Sequence, residues 1–414
     1  MESTRNGDDV ARAATAKAAA DGPVLKLPGG LLSALAAVPD PRGVSGRYYP
    51  LSALLSLALA AFLANQNSVL AMAEWVAVRS GTVQAALGFP DGRTPHQSTL
   101  QRLFCRLEPG ALSQALQAWL ATVPVVGPSE PTEAAGVALD GKAQRGRLAG
   151  EDRPLSAVQM LSAFCHAHGG VLGQVPLEIA ADKPEAELSV APTLIAQLDW
   201  TDRVLTGDAL FCQRHLCTQV VAAGGDYFCF VKQNQPTLLA DVVTLFDPQP
   251  PTMAAPLSDH RTARSLDEGH GRQADTRVLE ASTDLSGYTD WPHLAQVVRL
   301  ARTWQDRHGH HHAVRYAVTS LPPARASAER LLALARGHWS IENRLHYVAD
   351  VTLGEDHSRV RRGSGPAVLA ICRAGVISLL RRTGVTAIAS RRRFLGGKPL
   401  AVLALLGVPS PLHA

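Results

Sequence analysis

Residues 137–142 read VALDGK and residues 203–211 read RVLTGDALF, and these two stretches indicate the fold. In each, an apolar run typical of a buried strand ends at an aspartate, Asp140 in the first and Asp208 in the second. Between them, two apolar runs flank the sequence HGG at 168–170, which predicts a β-hairpin. After Asp208, strand-like and helix-like segments alternate. This order predicts an α/β (α+β) domain, a mixed sheet with helices on its faces.

Outward from these stretches, changes in composition divide the chain of 414 residues into parts. A stretch rich in Pro, Gly and Ser before residue 132 predicts the boundary between the two main domains. The expected parts are a disordered leader at 1–28, an all-helical N-terminal domain at 29–123, the α/β domain at 132–385 with a strand-rich insertion at about 247–312, and a basic C-terminal tail at 386–414.

The most apolar segment is LSALLSLALAAFLA at residues 51–64. A membrane-spanning helix needs about 20 apolar residues, so this segment predicts a buried helix of the N-terminal domain and no membrane partner. The first residues lack the apolar core of a signal peptide. The six cysteines lack the spacing of a disulfide framework or a zinc ribbon, which favours a reduced, cytoplasmic setting.

Charge is informative only locally, because 40 Lys and Arg stand against 36 Asp and Glu over the whole chain. This small excess excludes a histone-like polycation. Residues 356–400, however, contain ten Lys and Arg and one acidic residue, Asp356. That density predicts binding to DNA phosphates, although a solvated tail is the alternative.

A third acidic residue, Glu342, lies within a long helical pattern at 327–351. His338, Glu342, His346 and Asp350 recur every fourth residue and predict a polar stripe beside an apolar face. A solvated helix side is the simpler interpretation, and the two histidines also leave a zinc site open. Three carboxylates that converge from two strand ends and a helix would suit a site for two Mg²⁺ or Mn²⁺ ions, but spacing alone does not establish that convergence.

In order along the chain, PDPRG, VALDGKAQRG, RVLTGDALFCQ, FVKQNQ, EGHGR, YAVTSL and HWSIENRLHYVADVTLGED resemble the DDE transposases of bacterial insertion sequences, in the branch that includes the H-repeat-associated proteins. The resemblance extends over about 31–382. It implies a ribonuclease-H-like catalytic core in which Asp140, Asp208 and Glu342 form the triad and hold two Mg²⁺ or Mn²⁺ ions. It also implies that the insertion lies between the second aspartate and the glutamate.

By the same resemblance, the protein cleaves DNA at the ends of its insertion sequence and the freed 3′-hydroxyl attacks target DNA. Its partners are DNA and, during synapsis, a second copy of the chain in a homodimer or larger assembly. We expect it in the bacterial cytoplasm, with the nucleoid. The residues predicted to contact DNA follow strand-like segments, flank Glu342 or belong to the basic segment: Lys142, Arg145, Lys232, Asn234, Gln235, Arg344, His346, Arg359, Arg361 and Arg362.

The chain also departs from the pattern of its relatives. The segment EGHGR is usually followed two residues later by Glu, where this chain has Ala274, and the Lys-x-Asn-Glu pattern is degraded around Lys183. Two other functions therefore stay open. One is a transposase-derived DNA-binding protein that no longer cuts, and the other is a metal-dependent nuclease that does not join DNA.

Overall fold

The computed structural model describes residues 27, 29–126, 133–143, 149–150, 153–154, 159–177, 186–247, 257–269, 272–306 and 308–409. The leader predicted at 1–28 lies outside the described residues apart from Leu27, and so does Arg145.

The N-terminal part consists of short helices joined by turns, as its composition predicts. Their bounds are α1 Leu31–Ala36, α2 Leu51–Leu63, α3 Val69–Ala77, α4 Gly81–Ala86, α5 Gln97–Phe104 and α6 Pro109–Thr122. In α2, the most apolar segment of the chain, Ser52 alone is not fully buried. Residues 44–63 are long and apolar enough to cross a membrane, but 67% of their apolar window is buried inside the fold, as in a core helix.

A nine-stranded sheet forms the centre of the molecule, in the order β5-β4-β1-β6-β7-β11-β10-β9-β8. Its strands are β1 Ala135–Ala143, β4 Gln159–Cys165, β5 Val171–Leu177, β6 Arg203–Gly207, β7 Asp226–Val231, β8 Arg261–Gly269, β9 Arg272–Ser282, β10 Gln296–Asp306 and β11 Gly309–Thr319. Two further short strands, β2 Ala149–Gly150 and β3 Arg153–Pro154, pair only with each other. The remaining helices are α7 Ala186–Ala196, α8 Arg214–Ala222, α9 Pro236–Phe246, α10 Ala328–His338, α11 Gly365–Arg382, α12 Ile388–Gly396 and α13 Pro399–Leu405.

The strand directions confirm the mixed α/β architecture. The strands β1, β4 and β5 form an antiparallel meander, and β6 and β7 add to β1 in parallel. Parallel neighbours need a crossover, which α7 and α8 provide. Three antiparallel strands followed by two parallel ones agree with the ribonuclease-H-like core that the resemblance implies.

The strand-rich segment predicted as an insertion at 247–312 does not form a separate unit. Its strands continue the central sheet, because β11 pairs antiparallel with β7 from Tyr316 opposite Val231 to Thr319 opposite Phe228. Single-strand periodicity indicates that a strand exists but does not indicate its neighbour, so the sequence could not show this continuity.

Helices cover both faces of the sheet. Side chains alternate between the two faces along each strand, so neighbouring residues pack against different helices. Val137 and Leu139 of β1 pack against α7, α8 and α9. On the opposite face, Ala138 joins the core of the N-terminal helices, and Val204 of β6 packs with α10. Asp140 shares the face of Ala138, so it points toward the layer that holds α10.

The basic tail predicted at 386–414 is largely helical. The helices α12 and α13 pack in the same core as the N-terminal helices, with Leu395 and Leu403 fully buried. Arg392 is also fully buried, and its Nε donates to the Phe62 carbonyl at the end of α2 over 2.7 Å. The sequence did not predict this packing, because charge density alone does not distinguish a buried arginine that bonds helix ends from a solvated one.

The helical pattern at 327–351 is present but is not one regular α-helix. After α10, the chain passes through two turns of π-helix at Glu342–His346 and Val348–Thr352. Single turns of π-helix occur frequently at functional sites.

His166 is the contact point between the sheet and α10. Its Nε2 lies 3.0 Å from Thr206 Oγ1, and its ring fits between Gly136 of β1 and Gly337 of α10. A Cβ atom built on Gly337 would lie 2.2 Å from His166 Nδ1, so only glycine permits this approach. Burial is the main cause that lowers the pKa of His166 to about 3, so the ring is neutral.

Gly337→Ala should therefore destabilise the fold. We expect a loss of about 1–3 kcal/mol in the free energy of unfolding, typical of overpacking, measured by urea denaturation. Gly81→Ala is the matched control, because no atom lies within 4 Å of a Cβ at that helical glycine. The control should be neutral or slightly stabilising. Equal stabilities of the two variants would contradict the packing described.

The neutral state of His166 should make the fold sensitive to acid. The unfolded pKa is about 6.5, so this stabilisation is complete above that pH and is lost as pH falls toward 3. Between pH 7.5 and 5 we expect wild type to lose on the order of 1–2 kcal/mol more than His166→Gln in urea unfolding. The control is His357→Gln, at an exposed position, which should follow wild type. A His166→Gln variant with the wild-type pH dependence would rule out this origin.

Candidate active site

The parallel pairing of β1 with β6 brings the first two predicted carboxylates together. Their register runs from Ala135 opposite Arg203 to Ala138 opposite Thr206. Continued by two residues, it places Asp140 beside Asp208. Asp140 lies inside β1 and not past its end, because the antiparallel partner β4 extends further and pairs Ser162 with it. Asp140 therefore lies past the end of the parallel pairing with β6, as predicted, but within the antiparallel pairing with β4.

The third carboxylate reaches this edge from the π-helical turn. Ligand atoms of Asp140, Glu342 and His346 all lie within 4.8 Å of one another. His346 Nε2 is 3.4 Å from Asp140 Oδ2. Among the described residues, Asp208 is not part of this close group, although its charge reaches Asp140. The structure thus brings two of the predicted triad into one group and adds a histidine to them.

The carboxylates of this site repel one another, and the effect is seen in the pKa of Asp140. Burial is the largest cause that raises the pKa of Asp140 to about 7, and the nearby charges of Glu342, Glu187 and Asp208 add to it. Its side chain is 32% exposed, so the carboxylate is accessible from solvent. A cation bound here would relieve this repulsion.

Glu187, in the first turn of α7, is a fourth carboxylate that sequence reasoning missed. A Cβ on Gly141 would lie 2.2 Å from the Glu187 carboxylate, so the glycine after Asp140 allows Glu187 to approach. Burial and the charge of Asp208 raise the pKa of Glu187. In the sequence, the glycine directly after Asp140 indicates that another group approaches β1 there. It does not indicate that this group is Glu187.

Asp208 is held in a tight turn. Its Oδ1 accepts a hydrogen bond from the Leu210 amide over 2.9 Å and so caps the 3₁₀ turn Ala209–Phe211. The amide of Asn234 donates to the Ala209 carbonyl over 2.5 Å, and that of Gln235 donates to the Cys212 carbonyl over 3.0 Å. These bonds hold the turn of Asp208 in place. Asn234 is exposed and Gln235 is half-buried, and the DNA contacts predicted for them stay predictions.

Lys142, also predicted to contact DNA, lies in an interior ion-pair network. Its Nζ donates to Asp350 Oδ1 over 2.5 Å and to Glu355 Oε1 over 2.7 Å, and its side chain is only 12% exposed. Burial alone would lower the pKa of Lys142, but the two carboxylates outweigh it and raise the pKa. Lys142 therefore ties β1 to the second π-helical turn.

Arg344 and His346 likewise face the protein. Arg344 Nη1 donates to the His166 carbonyl over 2.9 Å, and its guanidinium closes over Gly169 in the β4–β5 hairpin. His346 is buried beside Asp140. Arg344 is thus bound to the hairpin and His346 is buried, and the DNA contacts predicted for both stay predictions.

The other described residues that were predicted to contact DNA lie on the surface. Arg359, Arg361 and Arg362 are exposed before α11. Lys232 is exposed and lines a cleft of about 380 Å³ that also reaches Asp208. Their roles stay predictions.

A second cleft, of about 480 Å³, reaches Glu342 and was not predicted. Trp339 lies between the two clefts and lines both, with the Arg315 guanidinium 4.7 Å from its ring centre. The second cleft is lined by four arginines, which are Arg277, Arg302, Arg315 and Arg336. These residues come from β9, β10, β11 and α10, so no local charge cluster marks them in the sequence.

The carboxylates fit a divalent cation. Two acidic groups and an imidazole converge. Lys142, the cation two residues after Asp140 on β1, is bound to Asp350 and Glu355 instead. Carboxylate oxygens suit Mg²⁺ and Mn²⁺, and of these two ions Mn²⁺ accepts an imidazole more readily.

The sequence matches two family models. The one described as "Transposase DDE domain" matches residues 133–379, and the one described as "DDE_Tnp_1-associated" matches residues 32–120. Two relatives from Escherichia coli K12 are YbfL, 25% identical over 88% of this chain and 93% of that protein, and the H repeat-associated protein YhhI, 28% identical over 62% and 67%.

A solved structure of the piggyBac transposase synaptic complex with hairpin DNA superposes with a TM-score of 0.43 at 9% identity, covering 94% of this chain and 80% of that chain. The assignment to a family does not depend on this remote likeness. It depends on the domain model, which matches more than half of the chain and includes all three predicted carboxylates. The chain therefore belongs to the DDE transposase family.

Proposed function

We propose that this transposase cuts DNA at the ends of its insertion sequence and joins those ends to target DNA. The observation that carries the proposal is the convergence of Asp140 and Glu342, with Asp208 directly after the neighbouring strand β6, at one edge of the sheet. Two clefts open at this edge, one beside Glu342 and one beside Asp208, and both contain Arg315.

In this mechanism Asp140, Asp208 and Glu342 hold divalent cations. Bound Mg²⁺ or Mn²⁺ ions supply charge stabilisation to the attacking and leaving oxygens of an in-line phosphoryl displacement. The chain itself positions the DNA, since phosphoryl transfer needs little covalent chemistry from protein side chains.

The four arginines of the second cleft would bind phosphates of the strand that is cut, which sets the phosphodiester beside Glu342. Hydrolysis frees a 3′-hydroxyl, which then attacks a phosphodiester of the target. Joining two ends requires that both be held at once, so the proposal includes a homodimer or larger assembly. The substrate would be DNA of the bacterial nucleoid in the cytoplasm.

Single replacement of the three carboxylates tests the catalytic part. Asp140→Asn, Asp208→Asn and Glu342→Gln should each lower Mg²⁺-dependent cleavage of a labelled element end by at least about 100-fold, because each removes a charge that holds the cations. DNA binding, measured in parallel by fluorescence anisotropy, should largely survive. Asp290→Asn is the control, since that side chain is 88% exposed and pairs only with Arg214 among the described contacts. Normal cleavage by a variant would remove its residue from the triad.

Neutralising exposed arginines tests the DNA path. Arg359→Gln with Arg361→Gln should weaken binding and reduce the slope of log affinity against log salt by about two, because two phosphate contacts are lost. The charge-matched control is Arg47→Gln with Arg93→Gln, two exposed arginines of the N-terminal part. A slope that stays at the wild-type value would exclude phosphate contacts at Arg359 and Arg361.

The same assays separate the other two functions. Specific end binding without cleavage in Mg²⁺ or Mn²⁺ would select a DNA-binding protein that no longer cuts. Cleavage without joining, in a strand-transfer assay with a supercoiled target, would select a nuclease.

A further inference from the structure

The side chain of His346 presents an unsatisfied nitrogen to the carboxylate group. The residue is 4% exposed, and it follows Glu342 by four positions in the same π-helical turn. Its Nε2 is buried and has no hydrogen-bond partner among the described residues. The nearest acceptor, Asp140 Oδ2, is 3.4 Å away, which is too far for a good hydrogen bond.

A buried nitrogen without a hydrogen-bond partner is destabilising, so its persistence calls for an explanation. The position of Nε2 suggests one. It lies within 4.8 Å of ligand atoms of both Asp140 and Glu342. An imidazole with its proton on Nδ1 carries a lone pair on Nε2, which is the form that binds metals.

We propose that His346 is a metal ligand, and that its Nε2 binds a divalent cation together with the carboxylates of Asp140 and Glu342. The inference rests on the proposed function in that it uses the same site. It replaces the DNA contact predicted for His346 with a role in the metal centre.

This ligand set differs from three carboxylates in its choice of metal. Mg²⁺ prefers oxygen ligands, whereas Mn²⁺ also accepts imidazole. The position formed by Asp140, Glu342 and His346 should therefore bind Mn²⁺ more tightly than Mg²⁺. Asp208 lies outside this position, and its Oδ1 accepts from the Leu210 amide. Its other carboxylate oxygen would serve a second, neighbouring cation position.

The alternative is that His346 only positions Asp140 through a hydrogen bond. Both roles predict weaker metal binding when the histidine is replaced, so affinity alone does not separate them. A direct bond between the nitrogen and the metal does, because only a ligand nitrogen couples strongly to the unpaired electrons of Mn²⁺.

The experiment uses the full chain without DNA, loaded with one equivalent of Mn²⁺, and electron spin-echo envelope modulation. We expect ¹⁴N modulation in the wild type, and its replacement by the ¹⁵N pattern in protein labelled with ¹⁵N-histidine. His346→Gln should lose the modulation, while His338→Gln should retain it. His338 is the matched control, as a buried histidine of the preceding helix that lies outside the carboxylate group. Asp140→Asn should also abolish the modulation, which ties it to this site.

Affinity provides the second measurement. His346→Gln should bind Mn²⁺ at least about tenfold more weakly in a calorimetric titration, with a smaller change for Mg²⁺. Mn²⁺ bound by the wild type without histidine modulation would overturn the inference and leave the proposed carboxylate site intact. No Mn²⁺ binding at all would overturn both. The labelled wild-type protein gives this answer even if a variant does not fold.

Discussion

The ion pairs of Lys142 with Asp350 and Glu355 join the two parts of the candidate active site. Lys142 is two residues after Asp140 on β1, and its partners follow Glu342 on the other side of the site. Arg373 of α11 stands 3.8 Å from the same Glu355, so three elements meet around one buried charge. Removing one partner of such a network costs about 3–5 kcal/mol, because the others are left buried and unpaired. The distance between Asp140 and Glu342 therefore depends on these pairs.

A second connection runs through Arg392. Its guanidinium bonds carbonyls at the end of α2 and at Thr352, the end of the second π-helical turn. Carbonyls at helix ends lack partners within their own helix, and a buried cation satisfies them. The N-terminal helices, the C-terminal helices and the turns that carry Glu342 thus share one core. The segments matched by two separate family models are, in this chain, parts of one packed structure.

The sequence predicted what local patterns encode. The apolar runs before Asp140 and Asp208 are strands, the HGG sequence is a hairpin turn, and Glu342 is helical. Roles that depend on distant partners were not predictable. Lys142 and Asp350 are 208 residues apart, so nothing near Lys142 distinguishes an ion-paired side chain from one that faces DNA. Similarly, Arg277, Arg302 and Arg315 of the second cleft become neighbours because β9, β10 and β11 pair side by side.

The continuity of the central sheet has a mechanical consequence. The strands that supply the cleft arginines are hydrogen-bonded through β11 and β7 to β6, the strand that precedes Asp208. A ladder of backbone hydrogen bonds resists sliding far more than it resists twisting. If DNA binds these arginines as proposed, it is attached to the same stiff body as the carboxylates. Forces along the bound strand would then rotate the cleft and the carboxylates together, and the phosphodiester would stay in line with them.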